Sequence, residues 1–395
     1  MTRILITGGF LFPNDAAALR ALGFGKALRA AGHDIFFAGF EEPTRPDDDV
    51  CHYQDFPYKS LGGVRSKSRS LVGRLKHYWT NGSQVLDFLK SETSPDFDLA
   101  IALGGSAQFL GKLHRYCRKA QIRLVCDWCE WLNVFQYEGR FLSPAFFSRE
   151  TAIRCVTPKI GNVIAISRYF QDYFQKKGCH VIRIPNLLDF EEPRWQFPIH
   201  DMSANDDTLK LVYAGFPGKK DLLIPALQGA LQAIHADYPV EIHIYGAEAK
   251  DIGGSTPQND SLVKELGDGL FFHGNISPQE IPRKLAEYDA SFLLRPNLRY
   301  AHAGFATKVQ ESLAAGVPVL TNDTSDIWEY MTDGQDGIRV AGEKPDDFFA
   351  AIRQWFGLNK EKRIAMRHHA RKCAEKHFAY QNHVEHLNDF IARCG

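Results

Sequence analysis

Short apolar runs alternate with stretches of helical period along almost the whole chain, and this alternation restricts the possible folds more than any other feature of the sequence. A short β-prone run bounded by turn residues, followed by an amphipathic stretch, is the sequence form of a strand–helix–strand unit built on a parallel sheet. In the first half, strands are expected at residues 4–7, 35–38, 99–103, 122–126, 163–166 and 180–184, with a helix over 15–31 that Gly32 terminates. Residues 191–209, with Pro193, Pro198, Asp201, Ser203, Asn205 and Asp206–Asp207, interrupt the pattern with turn formers. A second series follows at 209–214, 240–245, 269–272, 290–294, 317–321 and 338–340, closed by helical segments over 359–377 and 380–393. The expected class is α/β, with two doubly wound Rossmann-like domains facing across a cleft. The boundaries read as 1–190, a linker over 191–208, 209–376, and 377–395 as a helix returning to the amino-terminal domain. A chain of 395 residues suits two cores, because single cores stop growing near ~250–300 residues. Ligands of open parallel sheets lie at the carboxyl ends of the strands, so the chemistry is sought in those loops.

Charge narrows the function. The 47 basic and 47 acidic side chains argue against a chain-wide nucleic-acid binder. The balance hides an asymmetry: residues 1–200 hold 26 basic and 20 acidic side chains, and residues 201–395 hold 21 and 27. Residues 56–86 contain Lys59, Arg65, Lys67, Arg69, Arg74 and Lys76, no acid, and the interleaved Tyr58, Leu61, Leu71, Leu75, Tyr78 and Trp79. Such a segment suits an anionic membrane surface that presents a lipid-linked acceptor, the alternatives being a site for a diphosphate-bearing acceptor and a solvated loop. No run approaches the ~20 apolar residues of a membrane span. The first residues enter a strand directly, so a cytoplasmic protein, peripheral at the inner face of the membrane, is expected.

Several small motifs point elsewhere and are weaker. Cys126-Asp-Trp-Cys129 has redox or metal spacing, but no second ligand pair accompanies it, and the eight cysteines suit reduced thiols. Asp96-Phe-Asp98 resembles a D-x-D metal motif, yet it leads into a strand; no metal and no cofactor are expected. The carboxyl-terminal histidines 368, 369, 377, 383 and 386 fall among charges on helices and read as solvated. Thr7-Gly8-Gly9-Phe10-Leu11 fails the G-x-G-x-x-G pattern of dinucleotide binding, and no P-loop is present.

Residues 295–318, RPNLRYAHAGFATKVQESLAAGVP, carry the most information. Thr307-Lys-Val-Gln310 reads as a capping box that starts a helix at Lys308. Such a start is an anion site, with Lys308 adding a full charge and Glu311 one turn deeper, where it meets a neutral hydroxyl-bearing part of the same ligand. An ordinary capped helix with a surface lysine has the same sequence, so the segment needs company. It has company in residues 212–221, VYAGFPGKKD, where Gly215 and Gly218 allow close backbone approach and Lys219 and Lys220 offer point charges for a diphosphate.

Taken together, VYAGFPGKKD, FHGNISPQEIP, DASFLLRP, AGFATKVQESLAAGVPVLTND and EYMTDGQDGIRV resemble the nucleotide-sugar half of GT-B glycosyltransferases of the retaining family 4 group, polysaccharide-assembly type. GGFLFPNDAAALRALGFGKALRAAGHD, LVCDWCEW and VIAISRYFQDYFQKKGCHVIRIPNLLD extend the likeness over the first half. The resemblance implies a metal-independent hexosyltransferase with an acceptor-binding amino-terminal domain and a donor-binding carboxyl-terminal one. It would move a sugar, with retention, from a UDP- or GDP-sugar to a saccharide or lipid-linked acceptor in surface polysaccharide or glycolipid assembly. The resemblance places donor phosphates on Lys220 and Lys219, the ribose on Glu311, and the base near Asn275 and Ile276. Two positions depart: the first acid of the family's E-x7-E motif falls on Ala303, and a phosphate-binding arginine falls on Phe216. Arg295, Arg299 or Lys308 can replace the charge, with Thr307 beside Lys308, and the backbone of Ala303, Gly304 and Phe305 the lost acid. Gly8 and Gly9 are the matching close-approach positions of the first domain. Asp127 and Glu130, just past the strand over 122–126, are placed to orient an acceptor hydroxyl or take its proton, and equally to serve as a turn cap and a surface charge. The alternatives are a nucleotide-sugar epimerase on the same fold and a non-catalytic nucleotide-sugar binding protein.

Overall fold

The computed structural model describes residues 1–12, 16–40, 50–62, 80, 82–91, 94–199, 207–218, 220–252 and 256–394. The chain forms two compact units, Met1–Leu188 with Tyr380–Gly395, and Asp189–Ala379.

The first unit is built on eight strands: β1 Arg3–Gly8, β2 Asp34–Gly39, β3 Cys51–Tyr53, β4 Phe56–Ser60, β5 Leu99–Leu103, β6 Arg123–Trp128, β7 Asn162–Ala165 and β8 His180–Arg183. Their order is β3-β4-β2-β1-β5-β6-β7-β8, parallel except for the β3–β4 pair. β1 lies inside, with Ile4 opposite Ile35 on one side and Leu99 on the other. Ile4, Leu5 and Ile6 are fully buried, which is why parallel strands covered on both faces read as unbroken apolar runs. The Ala16–Ala30 helix packs on this sheet and stops at Gly32, whose φ of 87° is left-handed. Arg3 N donates to Asp98 Oδ2 at 2.7 Å, so Asp98 ties down the amino end of β1, the edge opposite to the strand carboxyl ends.

The hairpin β3–β4 is new relative to the sequence reading. Its two-residue turn, Gln54 and Asp55, has φ of 48° and 62°, the tight-hairpin conformation that Asn-Gly usually signals. As a result Phe56 and Tyr58 are core residues and Lys59 Nζ lies 5.8 Å from the Phe88 ring. Tyr58 therefore does not belong to an outward-facing aromatic set. Arg65, Lys67, Arg69, Leu71, Arg74, Leu75, Lys76, Tyr78 and Trp79 lie outside the described residues, as does Lys219.

The second unit holds β9 Leu209–Ala214, β10 Val240–Tyr245, β11 Leu270–Phe272, β12 Ala290–Leu293, β13 Val319–Asn322 and β14 Gly337–Val340, all parallel, in the order β11-β10-β9-β12-β13-β14. Residues 189–199 belong to this unit and are not a free linker. Trp195 is buried, its carbonyl accepts from Arg371 Nη1 at 3.2 Å, and Arg371 also stacks over Phe190. The Lys360–Phe378 helix ends this unit, and the chain then re-enters the first one. There Tyr380 N donates to Leu188 O at 3.0 Å. The final helix, Val384–Ala392, buries Leu387, Phe390 and Ile391 in the first unit's core, and Arg123 Nη1 holds Ile391 O at 2.9 Å. Among the described residues no helix is long and apolar enough to cross a membrane.

Candidate functional site

Four side chains meet at the carboxyl ends of β9 and β12. Tyr213 comes from β9, Asp221 from the turn that follows it, Arg295 from the loop after β12, and Lys308 from the Thr307–Ala314 helix. Asp221 is the hub. Its Oδ1 accepts from Arg295 Nε at 2.9 Å, and its Oδ2 accepts from Tyr213 Oη at 2.6 Å and from Lys308 Nζ. Lys308 Nζ donates also to Tyr213 Oη at 2.6 Å and lies 4.4 Å from the centre of that ring. Arg295 is fixed through its backbone, since Asn322 accepts from its N–H at 3.0 Å and donates to its carbonyl at 2.7 Å. The turn is pinned by Tyr300 Oη, which donates to Lys220 O at 2.8 Å, and by Leu222 N donating to Leu294 O at 2.7 Å.

The charges do not cancel. One carboxylate, its side chain 2% exposed, faces two cations whose side chains are 14% and 21% exposed. The acid lies inside and the positive charge outside, which leaves a net cationic surface at the strand ends. Burial would raise the Asp221 carboxyl, but Lys308 and Arg295 outweigh it and hold the group below its ordinary range. Burial pushes the Lys308 ammonium down, against the pull of Asp221. Burial also drives the Tyr213 phenol far up, so it stays protonated and can donate to Asp221. Glu311 lies one turn along the same helix; burial raises its carboxyl to about 7, with Arg194 and Lys308 opposing.

The helix start differs from the capping box. Thr307 is the first helical residue, Ala306 is the N-cap with ψ of 106°, and no side chain caps it. The first turn closes one residue earlier because Ala306 O accepts from Val309 N at 3.1 Å and from Gln310 N, while Gln310 is buried. Without a side-chain cap the positive helix end stays open to an anion beside Lys308. Gly215 is needed here for space as well as for its φ of 127°, because a Cβ would stand 2.5 Å from Lys308 Cε.

The structure thus unites Arg295, Thr307, Lys308, Glu311, Gly215 and the Lys220 turn, and adds Asp221 and Tyr213, which the sequence reading did not single out. Asp221 was legible only as an acid after two lysines; its partners stand 74 and 87 residues further on. Other expectations need correction. Asp127 is fully buried within β6, with both oxygens held by Arg20 at 2.8 and 2.6 Å, so it cannot serve as an acceptor base. Arg20 is itself saturated by the carbonyls of Ile184 and Pro185 and by Asn186 Oδ1. Glu130 is half-buried beyond the strand. The Gly304 amide is taken by Tyr300 O at 3.1 Å, which leaves it unavailable to a ligand, and the Phe305 ring packs on Tyr330 and Phe378. Ala303 is buried in a short helix. Ile276 packs against a core cluster containing Tyr245 and Tyr288, while Asn275 beside it is exposed. Gly8 serves strand packing, a Cβ there standing 2.9 Å from Leu103 Cβ, and Gly9 is half-buried in the turn after β1. Burial pushes the Cys126 thiol up strongly and Cys129 to about 11, the reverse of a reactive pair.

Residues 211–357 match the family model described as glycosyl transferases group 1. Solved structures align over the full length. Sucrose-phosphate synthase from Thermosynechococcus elongatus is 14% identical with a TM-score of 0.70, covering 100% of this chain and 99% of its own. Anabaena Alr3699/HepE, in complex with UDP-glucose, is 16% identical with a TM-score of 0.63, covering 99% of this chain and 100% of its own. WaaG, a glycosyltransferase involved in lipopolysaccharide biosynthesis, is 15% identical with a TM-score of 0.61, covering 98% and 99%. The fold is GT-B. No curated protein sequence matches the chain. The segment that matches the glycosyl transferases group 1 model contains the whole Tyr213–Asp221–Arg295–Lys308 cluster and Glu311.

Proposed function

We propose that the protein is a glycosyltransferase that moves a sugar from a nucleoside diphosphate donor to a hydroxyl acceptor. The observation that carries the reading is the cationic cluster at the strand ends of the second unit: Arg295 and Lys308, both braced by one buried Asp221, beside an open helix start. A diphosphate matches that layout in charge and shape. When the bond between the anomeric carbon and the β-phosphate oxygen breaks, negative charge grows on the leaving diphosphate. Pre-placed cations and helix amides stabilise that charge with no reorganisation, so in this reading Lys308, Arg295 and Lys220 do the work otherwise given to a divalent metal. Meanwhile the acceptor oxygen forms its bond to the anomeric carbon and passes its proton to an oxygen of the leaving diphosphate. Glu311, deeper along the helix, accepts hydrogen bonds from the ribose.

A UDP-sugar is the favoured donor, supported by the similarity to HepE, which was solved with UDP-glucose. A saccharide or lipid-linked acceptor, retention at the anomeric carbon, a role in surface polysaccharide or glycolipid assembly, and a cytoplasmic site of action at the membrane face belong to the same proposal. With Asp127 engaged by Arg20, Glu130 is the acceptor-side carboxylate of this reading. Calorimetry with UDP tests it. Lys308→Ala and Glu311→Ala should each weaken UDP binding about tenfold or more, the worth of one charge-assisted hydrogen bond. Unaltered affinity in both variants would remove the donor site from the second unit.

A further inference from the structure

Large apolar side chains project into solvent from the loop and helix that follow β6. Leu142 is 87% exposed, and Phe135, Phe141 and Phe147 are each more than half exposed. They form one patch: ring centres of Phe135 and Phe141 lie 6.3 Å apart, those of Phe141 and Phe146 6.4 Å, and those of Phe146 and Phe147 5.4 Å. Gly139 and Arg140, with φ of 80° and 48°, form the left-handed turn that precedes Phe141 and Leu142. Single exposed apolar residues are ordinary, but a contiguous cluster kept in water at a free-energy cost marks a surface with a partner.

Cations accompany the patch. Arg140 stacks over Phe135 at 5.8 Å, within it. The neighbouring Ala107–Ala120 helix buries Phe109, Leu110, Leu113 and Cys117 and turns Arg115, Arg118 and Lys119, at i, i+3 and i+4, to solvent. It adjoins the patch-bearing Pro144–Thr151 helix, where Ser148 Oγ accepts from Ala107 N at 3.1 Å and donates to Gln108 Oε1 at 2.5 Å. No acid occurs in the sequence between Asp98 and Asp127. Among the described residues none of Arg115, Arg118, Lys119 and Arg140 forms an ion pair. The Arg118 charge adds to burial in lowering the His114 pKa, as expected beside uncompensated cations. Residues 131–160 contain two acids, Glu138 in the turn and Glu150, which is held by Trp131 Nε1 and Arg154 Nε at 2.7 Å each.

We propose that this surface seats the first unit on an anionic lipid bilayer, with Phe141 and Leu142 entering the acyl boundary and Arg140, Arg115, Arg118 and Lys119 meeting the headgroups. Phenylalanine and leucine carry no polar atom, which suits acyl chains better than the hydrogen-bonding edges of a sugar. A second copy fits less well. A stable dimer buries ~800 Å² and about 20–30 residues a side, and two-fold pairing would set these cations against their own images. The patch follows Glu130 in the chain, and Arg149 Nη2 donates to Glu130 O at 3.4 Å, so a bilayer at the patch lies beside the acceptor-side carboxylate. For its role, though not for its existence, the seat rests on the proposed lipid-linked acceptor.

The test sediments the full chain, at about 150 mM salt where diffuse surface attraction is largely screened, with vesicles. These are phosphatidylcholine alone, or phosphatidylcholine with an equal part of phosphatidylglycerol. Wild type should be captured by the mixed vesicles and much less by phosphatidylcholine alone. The double variants Phe141→Ser with Leu142→Ser, and Arg118→Gln with Lys119→Gln, should each weaken that capture about tenfold or more, with melting temperature and UDP affinity unchanged. No capture of wild type, or equal capture of wild type and both variants, overturns the proposal. Loss in one double variant alone overturns the joint apolar and cationic contact. A lower melting temperature in the Phe141 and Leu142 variant would mean that the patch packs on the chain itself. A wild-type dimer that this variant turns into a monomer in sedimentation velocity would give the patch to a second copy; either result overturns the seat. UDP binding is read separately, so absent capture leaves the donor site standing, and unaltered UDP affinity in Lys308→Ala leaves the capture standing.

Discussion

Asp127 shows how far one side chain's meaning depends on a partner that its neighbourhood in the chain does not reveal. Beside a strand end it reads as a carboxylate ready for chemistry; in the fold it is the inner half of a sealed ion pair with Arg20, 107 residues away. Arg20→Met should cost about 3–5 kcal/mol in urea denaturation, because Asp127 would remain buried with no counter-charge. Glu311 makes the opposite case: its carboxyl is raised from 4.5 to about 7. Between those values the folded chain keeps a proton that the unfolded chain has released, so this residue's contribution to stability declines as pH rises through the window. Ligand binding runs the other way, since ribose hydroxyls donate best to the ionised form. UDP affinity should therefore rise between pH 6 and 8 in wild type by more than in Glu311→Gln, a comparison that cancels the diphosphate's own ionisation near pH ~6. Asp221 escaped the sequence reading for the same reason that Asp127 misled it. Ion pairs closed by distant residues leave no local pattern.

Elements were far more legible than pairs. Every strand expected from the apolar runs is present with its ends within two residues, because burial on both faces of a parallel sheet forces continuous Val, Ile, Leu and Phe. The β3–β4 hairpin went unseen because Gln54 and Asp55 take left-handed turn conformations without the glycine that usually announces them. The Thr307–Ala314 helix was found, yet its start was displaced by one residue: a threonine hydroxyl can cap a helix but here does not. That displacement matters, since it leaves the helix end without a side-chain cap. The adjoining turn is as exacting. Gly215→Ala places a methyl 2.5 Å from Lys308 Cε at a φ of 127°, so the Lys308 side chain has to shift from its place beside Asp221. Pulldown or calorimetry should then show UDP affinity reduced about as much as in Lys308→Ala, with a loss of stability of roughly 1–3 kcal/mol from overpacking and backbone strain.

At the scale of the molecule, the sequence pattern separated two doubly wound regions, and the structure assigns the last sixteen residues, 380–395, to the first. Packing explains the assignment: Phe390 is buried beneath His180 and contributes to the same core as Ile4, Phe24 and Ile184. Phe390→Ala should destabilise the chain by about 3–5 kcal/mol, seen in denaturation as a loss confined to the first unit's transition if the two units melt separately.

This return has a consequence for how the protein is made. The second unit, residues 189–379, is one uninterrupted stretch, so it can fold as soon as it leaves the ribosome. The first unit, although synthesised earlier, must wait for the final helix. At about 5–20 residues per second the delay is on the order of 10–40 s. During that interval the apolar ground destined for Leu387, Phe390 and Ile391 stays uncovered on the nascent chain, so the half that is translated first is the last to be completed.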